Sequence, residues 1–472
     1  MQIKLVEEGK TKKTHVHISF VSKGVERFVH NNETDILEIK SGKLEKITPR
    51  TLRTLIRSVV QSVKKFKIEQ VALPLSYDAF PKCHEYGEEW FWSTVAENLL
   101  LADYEYTVYK STQSTYVLKE IVIETMVGKA VRDGVVHGQT LATYTNTCRD
   151  IANTPGGDMT PLLLSKKATE MCSGTKATVT VLDEKKIEKL GMGGVIGVGQ
   201  GSIHKPRFII IEYWGLGKAK ASKATSAKNN SLKPIVFVGK GVTFDTGGLQ
   251  VKPGMAMYEM HMDMSGGASV IASVATIAKL GLKKNVVGLI PAVENAIGEK
   301  AIRPGDVLKM MSGKTVDVLH TDAEGRLILA DALHYARRYE PRLLVDVATL
   351  TGASLVAVGQ HASVIMTKNR VLEDSFRALG EESGDYVFPL PLWNEYTQYT
   401  KGVHGDISNI PSSDSKYGGT ITAGSFLAHF TKKMKWVHID MAPRMTSVGS
   451  DRLAKGATGE PTRLLVKIAE KF

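Results

Sequence analysis

The sequence predicts an α/β protein: an N-terminal three-layer α/β domain followed by a larger C-terminal α/β domain with a mostly parallel central sheet. The 472 residues are too many for one typical domain. Short strand-like patterns alternate with amphipathic helical patterns in the first 150 residues. From about residue 180 the strand patterns are apolar throughout, which is typical of parallel strands covered on both faces.

Residues 1–145 form the first predicted domain. VHISFVS (16–22) and EQVALPL (69–75) have strand patterns, and LRTLIRSVVQSVKKF (52–66) has the period of an amphipathic helix. Residues 146–180 are predicted to connect the two domains, because they begin with a run rich in Asn, Gly and Pro. A helix then starts with Thr160 as its N-cap and Pro161 in its first turn.

Residues 181–472 form the second predicted domain. Helical patterns, such as 267–281 and 325–339, separate several of its apolar strands, which are predicted at 207–213, 234–239, 285–293 and 342–350. In open α/β sheets of this kind, ligands bind beyond the carboxyl ends of the strands. We therefore expect the chemistry of the protein at those ends.

The composition is that of a soluble globular protein, with 43% hydrophobic and 23% charged residues. This excludes disordered, collagen-like and coiled-coil classes. No run of 18 apolar residues predicts a membrane span, and the first residues resemble neither a signal peptide nor a transit peptide. Three widely spaced cysteines cannot form a disulfide framework. We therefore expect a cytoplasmic protein without a membrane partner.

The net charge of +12 raises nucleic acid as a partner. The excess is concentrated in residues 151–240, which hold 14 Lys and Arg against 6 Asp and Glu. Five of these lysines lie in GLGKAKASKATSAKNNSLK (215–233), whose composition predicts a solvated, mobile loop. A phosphate-binding arm is the alternative interpretation of the same loop.

Two familiar phosphate motifs do not match. SGKT (312–315) lacks the upstream glycine of a Walker loop, since position 308 is Leu. The glycine-rich run 191–201 fits no dinucleotide-binding register, and we interpret its glycines as tight packing turns.

Two segments, 236–269 and 320–333, place charged residues at the ends of apolar strands. Their acids are Asp245, Asp263, Asp322 and Glu324, and Lys240 directly follows a strand. Four neighbouring carboxylates repel one another, so they need cations, and two divalent ions would balance them. A neutral Lys240 amine would complete the ligand set.

The metal stays open at this point. Oxygen ligands suit Mg or Mn, while one nitrogen donor keeps Zn and Co possible. Lys252 and Arg326 are not needed to balance the ions, and both would suit charge that develops on a tetrahedral oxygen. The pattern therefore predicts a two-metal hydrolytic site.

HTDAEGRL (320–327) resembles the NTDAEGRL signature of the leucyl aminopeptidase (cytosol aminopeptidase) family of two-metal metallopeptidases. VGKGVTFDTGG, LQVKPG, MHMDMSGGA, ATLTGA, WVHIDMA and KGATGEP are similar to that family's other blocks in the same order. The resemblance covers roughly residues 145–465 and is very weak before them. It implies that residues 181–472 are a catalytic metallopeptidase domain.

The resemblance also implies roles for single residues. The metal ligands would be Lys240, Asp245, Asp263, Asp322 and Glu324, and the catalytic residues Lys252 and Arg326, with bicarbonate bound at Arg326 as a general base. The substrate would contact Lys252, Met260, Asp263, Leu350 and Gly352. We expect a homohexamer with two divalent ions per subunit. Zn or Mn is the expected metal, and Co or Mg is the alternative.

On this interpretation a metal-bridging hydroxide releases apolar, Leu-type residues from peptides with a free N-terminus. The family usually has Asn at the position of His320 and Lys at that of His261, so substrate and metal preference depend on these two departures. We favour His320 as a neutral substitute for the Asn. Two other functions stay open, an additional nucleic-acid-binding regulatory role and a two-metal phosphoesterase.

Overall fold

The computed structural model describes residues 1–12, 14–30, 34–112, 115–218, 232–412 and 417–472. The chain divides into two compact units. The first comprises residues 1–146 with 447–455, and the second comprises 147–446 with 456–472. Within the described ranges, no helix is both long enough and apolar enough to cross a membrane.

The first unit contains a six-stranded sheet in the order β1-β6-β5-β2-β4-β3, which is parallel except for the edge pair β3–β4. Helices α1 and α2 pack against each other, and α3 begins in this unit and continues into the next. The elements are β1 (Gln2–Val6), β2 (Val16–Val21), β3 (Arg27–Val29), β4 (Ile36–Lys40), α1 (Pro49–Lys65), β5 (Gln70–Pro74), α2 (Glu88–Asp103), β6 (Glu120–Glu124) and α3 (Lys129–Asn153).

Helix α1 shows how local sequence sets an element of this unit. Thr48 caps it by accepting a hydrogen bond from the backbone N–H of Thr51, and Pro49 occupies its first position. Its apolar residues recur at helical spacing and are fully buried, among them Leu52, Ile56 and Val63. The predicted helix at 52–66 is thus confirmed, with a start three residues earlier.

The second unit is built on a sheet in the order β16-β15-β18-β14-β9-β11-β8-β7, with β10 paired to β11. Its centre, from β18 to β11, is parallel. The strands are β7 (Thr178–Leu182), β8 (Arg207–Trp214), β9 (Ile235–Gly239), β10 (Gly241–Asp245), β11 (Asn285–Asn295), β14 (Leu343–Ala348), β15 (Ser363–Met366), β16 (Val387–Pro389) and β18 (Trp436–Asp440).

Helices and a small third sheet complete this unit. The three-stranded sheet joins β12 (Val307–Lys309), β13 (Thr315–Asp317) and β17 (Ile407–Ser408). The helices are α4 (Pro161–Cys172), α5 (Glu184–Lys189), α6 (Gly193–Gly199), α7 (Ser265–Lys279), α8 (Gly325–Ala336), α9 (Ala353–Val358), α10 (Arg370–Ser383), α11 (Gly419–Ala428) and α12 (Thr462–Lys471).

A close approach of helix α7 to the sheet explains one glycine. A Cβ at Gly266 would lie 2.3 Å from the carbonyl oxygen of Val347 in β14. Any larger residue would push the helix away from the strand.

The predicted α/β class and the mostly parallel sheet of this unit are confirmed, and the chemistry-bearing segments lie at the carboxyl ends of β9, β10 and β14.

Two elements differ from the sequence interpretation. The strand predicted at 207–213, now β8, runs antiparallel to β11. Helix α4, predicted to be part of a connection over 146–180, packs on α7 and β8 within the second unit. Residues 447–455 group with the first unit although we assigned them to the second domain. The lysine-rich loop predicted at 215–233 lies largely outside the described residues, which omit 219–231.

The second difference concerns the glycine-rich run 191–201. Residues 193–199 form helix α6 rather than turns. A Cβ at Gly194 would lie 2.4 Å from the carbonyl oxygen of Leu327. The glycines therefore let α6 pack backbone to backbone against α8, a contact that local sequence does not reveal.

Candidate metal centre

Every predicted site residue lines one cavity of about 560 Å³ at the carboxyl edge of the large sheet. Lys240 follows β9, Asp245 ends β10, and Leu350 and Gly352 follow β14. Parallel neighbours bring these ends to the same edge, as the strand order requires. The full set is Lys240, Asp245, Lys252, Met260, Asp263, Asp322, Glu324, Arg326, Leu350 and Gly352.

Three carboxylates form the centre of this cavity. Ligand oxygens of Asp245, Asp322 and Glu324 all lie within 4.8 Å of one another. The Oδ1 atom of Asp245 accepts hydrogen bonds from the Gly247 N–H at 2.9 Å and from Asn295 Nδ2 at 2.8 Å. These two donors set the orientation of the Asp245 carboxylate.

Lys240 joins the fourth acid to the cluster. Its Nζ lies 2.7 Å from Asp263 Oδ2 and 2.8 Å from Glu324 Oε1, and it donates a hydrogen bond to the Thr349 carbonyl at 3.0 Å. Burial disfavours its charge, but Asp263, Glu324 and Asp245 together raise its pKa. The Lys240 amine therefore lies between two carboxylates, which favour its protonated form.

Lys252 occupies the opposite side of the cluster. Its Nζ lies 2.8 Å from Asp245 Oδ2 and 2.5 Å from Asp322 Oδ1. Burial disfavours its charge too, and the neighbouring carboxylates raise its pKa. Burial, together with the charges of Asp245 and Glu324, raises the pKa of Asp322 to about 7. The two lysines therefore contact different pairs of acids.

The donor set fits divalent cations. Asp245, Asp263 and Glu324 are at most 3% exposed. Over the described ranges, the buried Glu324 Oε2 accepts no hydrogen bond, whereas Asp263 Oδ2 and Asp322 Oδ1 lie against the amines of Lys240 and Lys252. Buried polar atoms are rarely left without partners, and clustered carboxylates are ligands of divalent ions. Lys240, once deprotonated, would add a nitrogen donor to these oxygens.

The segment before helix α8 determines how Asp322 and Glu324 are placed. Two residues that are two positions apart would point the same way if the segment were extended. Glu324 instead has helical φ and ψ of −76° and −37°, and helix α8 starts at the next residue. A Cβ at Gly325 would lie 2.6 Å from Lys240 Cε, so only glycine lets this turn approach the lysine.

Arg326 lies in the first turn of α8 and is 7% exposed. Its Nη1 donates a hydrogen bond to the Asn409 carbonyl at 2.6 Å, and its Nε has no partner among the described residues. Burial lowers its pKa to about 10 although Glu324 and Asp440 oppose the shift. The guanidinium therefore stays charged at neutral pH.

Asn409 is a residue that sequence reasoning missed. Its side chain accepts hydrogen bonds from the N–H groups of Leu319 and His320 and donates to the His320 carbonyl at 2.7 Å. It follows β17, nearly 90 residues after the segment that it holds. Asn295 was missed for the same reason, since neither lies in a motif of charged residues.

Apolar side chains line part of the same cavity. Met260 and Leu350, two of the predicted substrate contacts, line it together with Leu355, Ile410 and Met445. Asp440, at the end of β18, accepts hydrogen bonds from the Leu350 N–H and the Thr351 hydroxyl. The apolar wall is thus held in place from the neighbouring strand.

The two departures from the family pattern have different environments. His320 lines the cavity, and its Nδ1 accepts a hydrogen bond from the Asp322 N–H at 3.2 Å. An Asn side chain at the same position would accept the same hydrogen bond from the backbone N–H two residues later. Burial and the charges of Lys252 and Arg326 lower the pKa of His320, so it is neutral at pH 7. His261 is not among the described residues that line the cavity.

Comparison with known proteins identifies the family. The family model "Cytosol aminopeptidase family, catalytic domain" matches residues 146–466, and the N-terminal domain model of the same family matches residues 9–113. The chain belongs to the cytosol aminopeptidase family. The resemblance that the motifs indicated is therefore confirmed, including its N-terminal part, where the motifs themselves were weak.

Curated relatives in this family are named probable cytosol aminopeptidases. The protein of Paraburkholderia phymatum is 38% identical over 92% of this chain and 82% of its own length. That of Bdellovibrio bacteriovorus is 38% identical over 98% of this chain and 89% of its own. That of Azoarcus sp. is 45% identical, and the match spans 73% of this chain and 66% of the relative.

A solved structure of similar fold is a bottromycin maturation enzyme, BotP, in complex with Mn. It superposes with a TM-score of 0.84 at 28% identity and covers 98% of this chain and 99% of its own. The shared fold therefore extends over both units of the cytosol aminopeptidase architecture.

Proposed function

We propose that this protein is a metal-dependent aminopeptidase that releases apolar, Leu-type residues from the free N-terminus of peptides. The observation that carries the proposal is the cluster of Asp245, Asp263, Asp322 and Glu324 with Lys240 and Lys252, at the strand ends of a cytosol aminopeptidase chain. The names of the relatives and the Mn complex of BotP support it.

Two divalent ions held by Lys240, Asp245, Asp263, Asp322 and Glu324 would polarise the peptide carbonyl and supply the hydroxide expected from the sequence. The chain's own residues do the remaining work. Lys252 is 14% exposed toward the cavity and is a fixed cation, so it would donate a hydrogen bond to the carbonyl oxygen as negative charge develops there.

Arg326 would hold a small anion. Its free Nε and its place in the first turn of α8 both favour negative charge. Bicarbonate is the anion expected there, and Arg326 would position it as a general base. This role is part of the proposal and follows from the family resemblance.

The substrate class follows from the walls of the cavity. A free α-amine is a donor and a metal ligand, so the carboxylate cluster would accept it where an acylated amine would be rejected. Met260, Leu350 and Gly352 would line the pocket for the side chain of the N-terminal substrate residue. The apolar lining favours Leu-type residues.

Three substrates test this function on the metal-loaded protein. Leucyl p-nitroanilide should be cleaved, whereas its N-acetyl derivative and an aryl phosphate should not, because the first lacks the free amine and the second requires phosphoryl transfer. Hydrolysis of the aryl phosphate at a comparable rate would favour the phosphoesterase instead. The nucleic-acid-binding role stays a prediction, because most of the lysine loop on which it depends lies outside the described residues.

A further inference from the structure

A second cavity in the catalytic unit has no role in the proposed peptidase chemistry. It encloses about 600 Å³ between the end of helix α11, the start of β18 and the loop after β15, and it shares no lining residue with the metal centre. This volume is in the range of small-ligand sites.

The lining of this cavity is strongly basic. Lys368, Lys432, Lys433 and Lys435 all line it, and no carboxylate does so within the described chain. None of these four lysines forms an ion pair among the described residues. Four like charges around one concave surface repel one another, and such a surface attracts and concentrates anions.

One buried polar group in the lining lacks a partner that an anion would supply. Ser425 is 1% exposed and lines the cavity, yet its hydroxyl has no hydrogen-bond partner among the described residues. Beside it, burial and the charges of Lys314, Lys432 and Lys368 lower the pKa of His429 to about 4. A buried hydroxyl that faces a basic cavity without a partner fits an anionic acceptor.

An aromatic surface adjoins the lysines. A neighbouring cavity of about 680 Å³ shares Thr367, Lys368 and Asn394 with the first and is lined by Trp393. Trp393 is 62% exposed and stacks on Tyr396 with ring centroids 5.9 Å apart at 18°. Exposed aromatic rings beside a basic groove bind nucleobases by stacking.

We propose that the lysine cavity binds a phosphate group and that its ligand is a mononucleotide, with the phosphate among Lys368, Lys432 and Lys435 and the base against Trp393. The phosphate belongs in the first cavity because Glu373 and Glu395 line the second. The site is separate from the metal centre, so the proposal stands independently of the peptidase function.

Calorimetric titration of the intact protein at low salt tests this with three probes: inorganic phosphate, AMP and adenosine. We expect both anions to bind saturably, AMP about tenfold more tightly than phosphate because of one base stack, and adenosine not measurably. Absence of saturable binding by both anions would overturn the proposal. Equal affinity for AMP and phosphate would overturn the nucleotide assignment.

Variants locate the site. The double change Lys432→Gln and Lys435→Gln should weaken both anions at least tenfold, whereas Lys279→Gln with Lys283→Gln removes the same charge from another exposed surface and should change neither. Equal losses in the two double variants would show unspecific attraction and contradict the site.

Two single variants test the other contacts. Trp393→Ala should lower the affinity for AMP about tenfold and leave the affinity for phosphate unchanged. Ser425→Ala, which leaves the charge unchanged, should weaken phosphate about threefold to tenfold.

Discussion

At the scale of single residues, the two lysines of the metal centre differ in burial and in partners. Lys240 is 3% exposed and lies between Asp263 and Glu324, whereas Lys252 is 14% exposed and lies between Asp245 and Asp322. Lys240 is thus enclosed by ligand carboxylates, and Lys252 faces the cavity that a substrate would enter. Their functions should separate on substitution.

Lys240→Arg should abolish metal binding and nearly all activity. Arginine cannot lose its proton in a protein, so it would leave a fixed positive charge where a dication must bind. Lys252→Arg keeps the charge and should retain both ions, with turnover reduced by about 10²–10³ at most. Metal stoichiometry and turnover, measured side by side, check this. Two bound ions in Lys240→Arg and none in Lys252→Arg would reverse the assignment.

Gly325→Ala should also impair the centre without changing any charge. The new Cβ would lie 2.6 Å from Cε and 2.8 Å from Nζ of Lys240, so the lysine or the turn must move. We expect the metal affinity to fall and the free energy of unfolding to decrease by about 1–3 kcal/mol, as for overpacked cores. Gly352→Ala is the control, because nothing lies within 4 Å of its Cβ. Metal titration and urea unfolding measure both, and normal metal binding in Gly325→Ala would refute the steric requirement.

At the scale of elements, the segment between β13 and α8 depends on a residue 90 positions later in the chain. Asn409 holds the backbone of this segment through its amide, and its carbonyl accepts a hydrogen bond from Arg326. The three-stranded sheet brings it there, since β17 pairs with β13. Secondary structure alone would leave Asp322 and Glu324 without a fixed position.

Asn409→Asp should therefore destabilise the protein by about 1–3 kcal/mol, because the His320 carbonyl loses its buried donor. Turnover should fall as well, since the backbone that carries Asp322 and Glu324 is released. The control is Asn369→Asp, where the side chain only accepts a hydrogen bond from the Leu372 N–H and Asp caps a helix equally well. Equal stability of both variants in urea unfolding would contradict the role of Asn409.

At the scale of the whole molecule, bound metal should stabilise the fold as well as support catalysis. Four acids share one cluster. An ion that binds only the folded state raises the free energy of unfolding by about 4 kcal/mol when its free concentration is a thousand times Kd. Chelation should abolish activity and lower Tm, and Mn, Zn or Co should restore both. Full activity in protein that elemental analysis shows to be metal-free would refute the cluster.

The hexamer expected from the family resemblance is the second prediction at this scale. Six chains of 51.6 kDa give about 310 kDa. Light scattering of the active protein should report that mass. A monodisperse, fully active monomer would contradict the prediction.

Local sequence predicted elements well wherever pattern and packing agree. The helix of residues 52–66, the apolar strands and the N-cap at Thr160 all occur in the structure. It misjudged the glycine-rich run 191–201, because the close contact that makes helix α6 possible involves Leu327, which is remote in sequence. It also missed the antiparallel direction of β8, since an apolar strand has the same pattern in either orientation.

By itself, the sequence determined the class of the fold, the family and the residues that carry charge at the strand ends, because each depends on short patterns of residue type. The tertiary structure alone decided how those residues are held. Asn295 and Asn409 orient the acids through hydrogen bonds that span 50 to 90 positions, and Gly325 lets the helix approach Lys240. Such contacts depend on the order of strands in the sheet and leave no periodic trace in the chain.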